Sequence, residues 1–198
     1  MARWEAGADG RLAQAAYELY FERGFDDVTI AEIAERAGLT KRTFFRYFAD
    51  KREVLFSGAA AFQESVVRAV TDAPEEVTPV DAVIAALSAG GSGITEIGEP
   101  ARQRQRLIDT STDLQEREMI KMAALTAAIS DALQQRDVSP LAARLTAQAG
   151  VAVFTTAFER WADDEGPVAF APLIHEALAE LRAAVCAAAS QPVPSPAD

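Results

Sequence analysis

Between Lys41 and Arg52 the chain places five cations, Lys41, Arg42, Arg46, Lys51 and Arg52, among the rings of Phe44, Phe45, Tyr47 and Phe48, with Asp50 alone opposing them. Arginine can pair with the edge of a guanine, threonine can meet a base or a phosphate, and a tyrosine hydroxyl can donate to a phosphate. Crowded into one short segment, these residue types suit contact with a polyanion. The rest of the chain does not, because the formal net charge is -11 over 198 residues. The first 56 residues hold nine basic against ten acidic side chains, a net -1, which leaves -10 for the remainder. A polyanion would be drawn to one segment and repelled elsewhere.

The elements that must position this segment are legible around it. Leu12, Ala15, Ala16 and Leu19 form an i, i+3, i+4, i+7 stripe, the signature of a helix, and Gly24 is placed to end it. Thr29 followed by Glu32 is a capping box, so a second helix begins at Ile30, turns Ile33, Ala34 and Ala37 inward, and stops at Gly38. Thr40 can cap a third helix running through "KRTFFRY". On it Phe44 and Phe48 are four apart and share a packed face, while Lys41, Arg42, Thr43 and Arg46 project elsewhere and remain free. Two capped helices joined by a glycine turn make a helix-turn-helix, whose second helix enters the major groove of DNA. Asp50 and Glu53 predict a fourth helix from Lys51 into the 60s. A cation at that start completes an anion site together with the free N–H groups.

The stretch "TIAEIAERAGLTKRTFFRYFADKREVL" resembles the DNA-binding region of TetR-type transcriptional regulators. The resemblance lies in Thr29, the "AxxAG" turn from Ala34 to Gly38, the threonine-capped helix and the "YFxDK" ending, in which Tyr47, Phe48 and Lys51 match. Phe45 departs: many relatives carry tyrosine there, so a hydroxyl contact to phosphate is replaced by van der Waals contact from a bare ring. The DNA-contacting set expected on these grounds is Thr29, Thr40, Lys41, Arg42, Thr43, Phe45, Arg46, Tyr47 and Lys51. The resemblance also implies a homodimer reading a palindromic operator, and a C-terminal domain whose small-molecule ligand lowers DNA affinity.

Beyond residue 51 the pattern is that of long helices with short connectors, so the fold class expected is all-α. Helices are predicted from about Val80 until "SAGGSGITEIGEP" interrupts, over "ARQRQRLID", from Leu114 to Gln135, from Pro140 to Asp163, and from Ala171 to Ala188. The division expected is residues 1–50 as DNA-binding domain, 51–190 as ligand-binding and dimerisation domain, and 191–198 as a disordered tail. Phe158 and Trp161, with Ile174, Leu178, Leu181 and Val185, form two apolar stripes that serve as a dimer interface in TetR-type relatives and could equally be internal core. Candidate pocket residues are Phe62, Val66, Ile84, Leu87, Leu107, Met119, Met122 and Phe154. Arg102 and Arg106 share a helical face that could receive an anionic ligand head or form salt bridges, the latter being the stronger reading. The later helices resemble the mycofactocin-regulator type of C-terminal domain, which implies an apolar or amphipathic effector, acyl-CoA-like ligands included.

Other classes fare worse. His175 is the single histidine and no nucleophile motif surrounds it, so an enzyme is not expected. Cys186 is the single cysteine, read as buried filler, and no ligand cluster calls for a metal or other cofactor. "GGSGITEIGE" lacks the lysine and preceding strand of a phosphate loop. The absence of an apolar signal segment and of an uninterrupted apolar run of spanning length points to the cytoplasm and away from a membrane. A helical module docking its basic helix on an acidic protein is the remaining alternative, separated from the first reading by a DNA-binding measurement.

Overall fold

The computed structural model describes residues 7–164 and 166–188. Among them every regular element is a helix: α1 (Ala8–Arg23), α2 (Ile30–Arg36), α3 (Lys41–Tyr47), α4 (Ala59–Thr71), α5 (Pro79–Thr95), α6 (Glu99–Asp109), α7 (Thr112–Gln134), α8 (Pro140–Asp163) and α9 (Phe170–Ala188). The predicted disordered tail, residues 191–198, lies outside the described residues. The helices fall into two compact units. One joins the residues up to 65 with residues 97–125, and the other joins residues 66–96 with those from 126 onward.

The first unit is built around α1. Leu12, Ala16, Leu19 and Tyr20 of α1 pack with Ile33 of α2 and Phe44 of α3. Phe25, Val54 and Phe56 join them, and Leu107 and Ile108 of α6 complete the core. Each large apolar side chain fully buried in this way is worth about 1.5–3 kcal/mol. Local signals set the helix ends. At the end of α2 the N–H of Leu39 donates to the carbonyl of Ala34 at 2.8 Å, and that of Gly38 to Glu35 at 2.9 Å. This paired closure requires a left-handed residue, and Gly38 supplies it at φ +65.

The second unit is centred on α5, α8 and α9. Phe154 and Phe158 stack at 5.9 Å, and both meet the ring of Phe170 edge-on. Trp161 is buried, and its indole N–H donates to the carbonyl of Val168 at 3.2 Å. Gly91 of α5 lies against the Phe170 ring, where a side chain would collide. α5 runs through Thr95 and is not interrupted by its glycines as predicted; at Gly91 the missing side chain makes room for the Phe170 ring. α8 has the length and mean hydropathy of a membrane-spanning helix. Its apolar residues, among them Val151, Phe154, Phe158 and Trp161, are nonetheless buried in the unit, as in a core helix.

Residues 51–58 correct a second expectation. They form successive i→i+3 turns, with Leu55 donating to Arg52 and Phe56 to Glu53, and α4 begins only at Ala59. Burying Val54, Leu55 and Phe56 together brings three consecutive residues inward, which a regular helix cannot do from one face. Cys186 is exposed near the end of α9, not buried filler.

Candidate nucleic-acid interface

The capping box predicted for α2 is complete. The N–H of Glu32 donates to Thr29 Oγ1 at 3.3 Å, while the N–H and hydroxyl of Thr29 donate to Glu32 Oε2 at 2.8 and 2.7 Å. Arg23 adds an ion pair to the same carboxylate at 2.9 Å. The hydrogen bond from Arg23, with those from Thr29, holds Glu32 down at a pKa of about 2. Arg36 closes on Glu22 at 3.0 Å and Glu18 at 3.4 Å, bracing α2 against α1. Thr29 is therefore exposed but committed to its own helix.

α3 is capped by Thr40, whose Oγ1 accepts from the N–H of Thr43 at 3.2 Å and pairs with the Thr43 hydroxyl at 3.1 Å. Phe44 and Phe48 are buried, as the spacing requires. Lys41, Arg42, Phe45, Arg46 and Tyr47 are exposed. Lys41 and Arg42 make no hydrogen bond or ion pair to any described residue. Arg46 is not free as expected: its guanidinium lies over the Tyr47 ring at 4.7 Å and donates to the Tyr47 hydroxyl at 2.8 Å. That oxygen accepts from Arg46 and retains its own hydrogen to donate outward. The face of α3 opposite the buried phenylalanines thus carries two unpartnered cations, one stacked cation, a hydroxyl and a bare phenyl ring.

Lys51 departs from the expectation of a phosphate contact. Its ammonium donates to the carbonyls of Phe25 at 2.8 Å, Val28 at 3.0 Å and Asp26 at 3.2 Å, and sits 4.2 Å from the centroid of the Phe25 ring. Three donors are all an ammonium has, so none remains for a phosphate. The backbone carbonyl of Lys51 accepts from the Tyr20 hydroxyl at 2.7 Å, and burial keeps that phenol's pKa above its ordinary value. Residue 51 ties α1 and the loop after it to the chain leaving α3.

A cluster the sequence reading missed surrounds Asp50. Its Oδ1 accepts the backbone N–H groups of Arg52 and Glu53, and its Oδ2 accepts from the guanidinium of Arg52 at 2.8 Å and of Arg117 at 3.0 Å. Burial pushes the Asp50 carboxyl up, but the bonds from Arg52 and from the Glu53 backbone outweigh it and its pKa lies below the ordinary value. Glu53 pairs with Arg117 at 3.1 Å and Lys121 at 3.0 Å. The signal was a matched spacing, carboxylates three apart against cations four apart, but some 67 positions separate them. Arg104 donates to the carbonyl of Leu55 at 2.8 Å and lies over the Phe56 ring.

The residues nominated for an effector divide between the units. In the second, Val66, Ile84, Leu87 and Phe154 are buried. In the first, Leu107 belongs to the core around α1, Arg102 is buried, and Phe62 and Met122 are half-buried. Met119 faces solvent at 72% exposure, and Arg106 is exposed and paired with Glu99 at 3.1 Å. Neither Met119 nor Arg106 has the setting of a pocket residue, and the salt-bridge reading of Arg106 is the one realised. Of the nominated dimer residues, Phe158, Trp161, Ile174 and Leu178 are buried in the protomer's own second unit. Leu181 and Val185, further along the same stripe of α9, are exposed.

Comparison with known proteins agrees with this layout. Residues 12–57 match the model of bacterial regulatory proteins of the tetR family, and residues 77–186, more than half of the chain, match that of the MftR C-terminal domain. MftR of Mycobacterium tuberculosis, named for regulation of mycofactocin biosynthesis, is 26% identical over 157 residues, 78% of this chain and 79% of that protein. The chain spans about a third of the length of further curated regulators it matches, 35% in one and 31% in another. Among solved structures, the triclosan complex of SmeT, a repressor from Stenotrophomonas maltophilia, is 19% identical and covers 87% of this chain and 90% of that one, with a TM-score of 0.64. Thermus thermophilus FadR in complex with lauroyl-CoA is 23% identical and covers 96% of this chain and all of that one, with a TM-score of 0.50. At these identities the structural likeness is one of fold.

Proposed function

As the chain belongs to the TetR family of bacterial regulatory proteins and carries an MftR-type C-terminal domain, it is a transcriptional regulator, and we propose that it is a cytoplasmic homodimeric repressor released from a palindromic operator by a small molecule. The observation that carries the DNA-binding reading is the outward face of α3, where Lys41 and Arg42 stand exposed with no partner among the described residues while Phe44 and Phe48 anchor the helix from behind. In a major groove Arg42 donates to a guanine edge, Lys41 and the Tyr47 hydroxyl meet phosphates, and Thr40 and Thr43 lie at the end of α3 that points inward. An unpaired cation keeps its full charge for a phosphate, and each such contact releases counterions. The acidic remainder of the chain favours only the approach that leads with α3.

Dimerisation is assigned to exposed apolar residues of α8 and α9. Leu141 and Leu145 of α8 and Leu181 and Val185 of α9 are exposed, and burial against a second copy removes them from water. The effector is assigned to the helical domain after residue 51 and is apolar or amphipathic. Ligands of that kind occupy the related folds, triclosan in SmeT and lauroyl-CoA in FadR. A mobility-shift titration against duplexes selected from a random library tests the reading. The expected result is a sequence-selective complex with two protomers per site, weakened by an acyl-CoA. Equal affinity for all sequences at low salt would overturn it.

A further inference from the structure

Resting on the DNA-binding reading above, we propose that Phe45 is a specificity-determining residue, whose exposed ring reads the C5-methyl group of a thymine in each half-site. The ring is 56% exposed, yet it is not loose: it meets the buried Phe44 ring edge-on at 5.7 Å between centroids. Phe45 follows Arg42 by three positions and Lys41 by four, so it stands one turn beyond these two cations on the same side of α3. A bare phenyl ring among cations gains nothing from phosphate oxygens or from polar base edges, since it can neither donate nor accept. The apolar feature that the major groove presents is the thymine methyl, and phenylalanine is among the side chains that meet it.

Geometry adds the register. Three residues advance an α-helix by about 4.5 Å. One base step along a strand is about 3.4 Å. The methyl read by Phe45 therefore lies within one or two base steps of the guanine taken by Arg42. The half-site pairs a guanine with a neighbouring thymine, read by two side chains one helical turn apart. Tyrosine at this position would favour a phosphate through its hydroxyl, so the bare ring moves the contact from backbone to base.

The test uses the full chain and a duplex selected from a random library, with each thymine replaced in turn by deoxyuridine, which lacks only the methyl group. The wild-type protein loses affinity by about fourfold at one thymine per half-site, the value of burying one methyl-sized group. Phe45→Ala binds the parent duplex more weakly and shows no difference between thymine and deoxyuridine at that position. Phe45→Leu, which keeps an apolar surface, retains part of the difference. Methyl-independent binding by the wild type, or an undiminished thymine preference in Phe45→Ala, overturns the proposal while leaving the regulator reading intact. Failure to bind any duplex overturns both.

Discussion

On α3, Lys41 and Arg42 reach solvent with no partner among the described residues, whereas Arg104 and Arg106 of α6 and Arg117 and Lys121 of α7 each close on a carboxylate or carbonyl. Both groups belong to one compact unit and use the same residue types. Arg104, Arg117 and Lys121 connect segments distant in sequence, as when Arg117 reaches Asp50 and Glu53, while Arg106 pairs within α6. Lys41 and Arg42 of α3 connect nothing among the described residues. Partnership, not charge alone, separates a cation that holds the fold from one that can be offered to a polyanion.

Four perturbations test this contrast. The largest removes the anchor behind the free cations. Phe44 is fully buried, and Phe44→Ala should cost about 3–5 kcal/mol in chemical denaturation, with operator binding lost as α3 comes away from the core. Next is Arg42→Ala, expected to weaken operator binding by about 1–3 kcal/mol and relax base preference at one position, with an unchanged melting temperature. A smaller effect of the opposite kind belongs to the paired group. Arg117→Ala should lower stability by about 1 kcal/mol while the salt dependence of DNA binding stays as it was, because its guanidinium is held by Asp50 and Glu53.

The smallest concerns pH. Glu32 is held at a pKa of about 2 against an ordinary value of 4.5. A carboxylate depressed on folding favours the folded state above its unfolded pKa, and this contribution disappears as pH falls toward the folded one. Thermal stability should therefore decline as pH drops from about 4.5 to about 2, and Glu32→Gln should flatten that decline.

What could be read beforehand was written in short-range code. Thr29 with Glu32, Thr40 with Thr43, and Gly38 after α2 announce themselves over three or four residues, so the helix-turn-helix and its outward face were legible. What could not be read depends on distant partners. The carbonyls that claim Lys51 lie 23 to 26 positions upstream, so a residue that looked like a phosphate contact is an internal tie. Gly91 in α5 looked like part of a break because the Phe170 ring that needs its space lies 79 positions further on. Apolar stripes on α8 and α9 carry no mark of whether a neighbouring helix or a second copy covers them, and Phe158, Trp161, Ile174 and Leu178 are covered by the protomer itself.

Lys41 and Lys51 offer the most direct comparison, being the same residue type ten positions apart, one with no partner among the described residues and one held by three carbonyls. The decisive measurement is the slope of log affinity against log salt for a selected operator, taken for the wild type, Lys41→Ala and Lys51→Met at a temperature where all three are folded. The slope should fall by about one unit for Lys41→Ala and stay unchanged for Lys51→Met. An unchanged slope for Lys41→Ala, with the loss appearing in Lys51→Met, would contradict it.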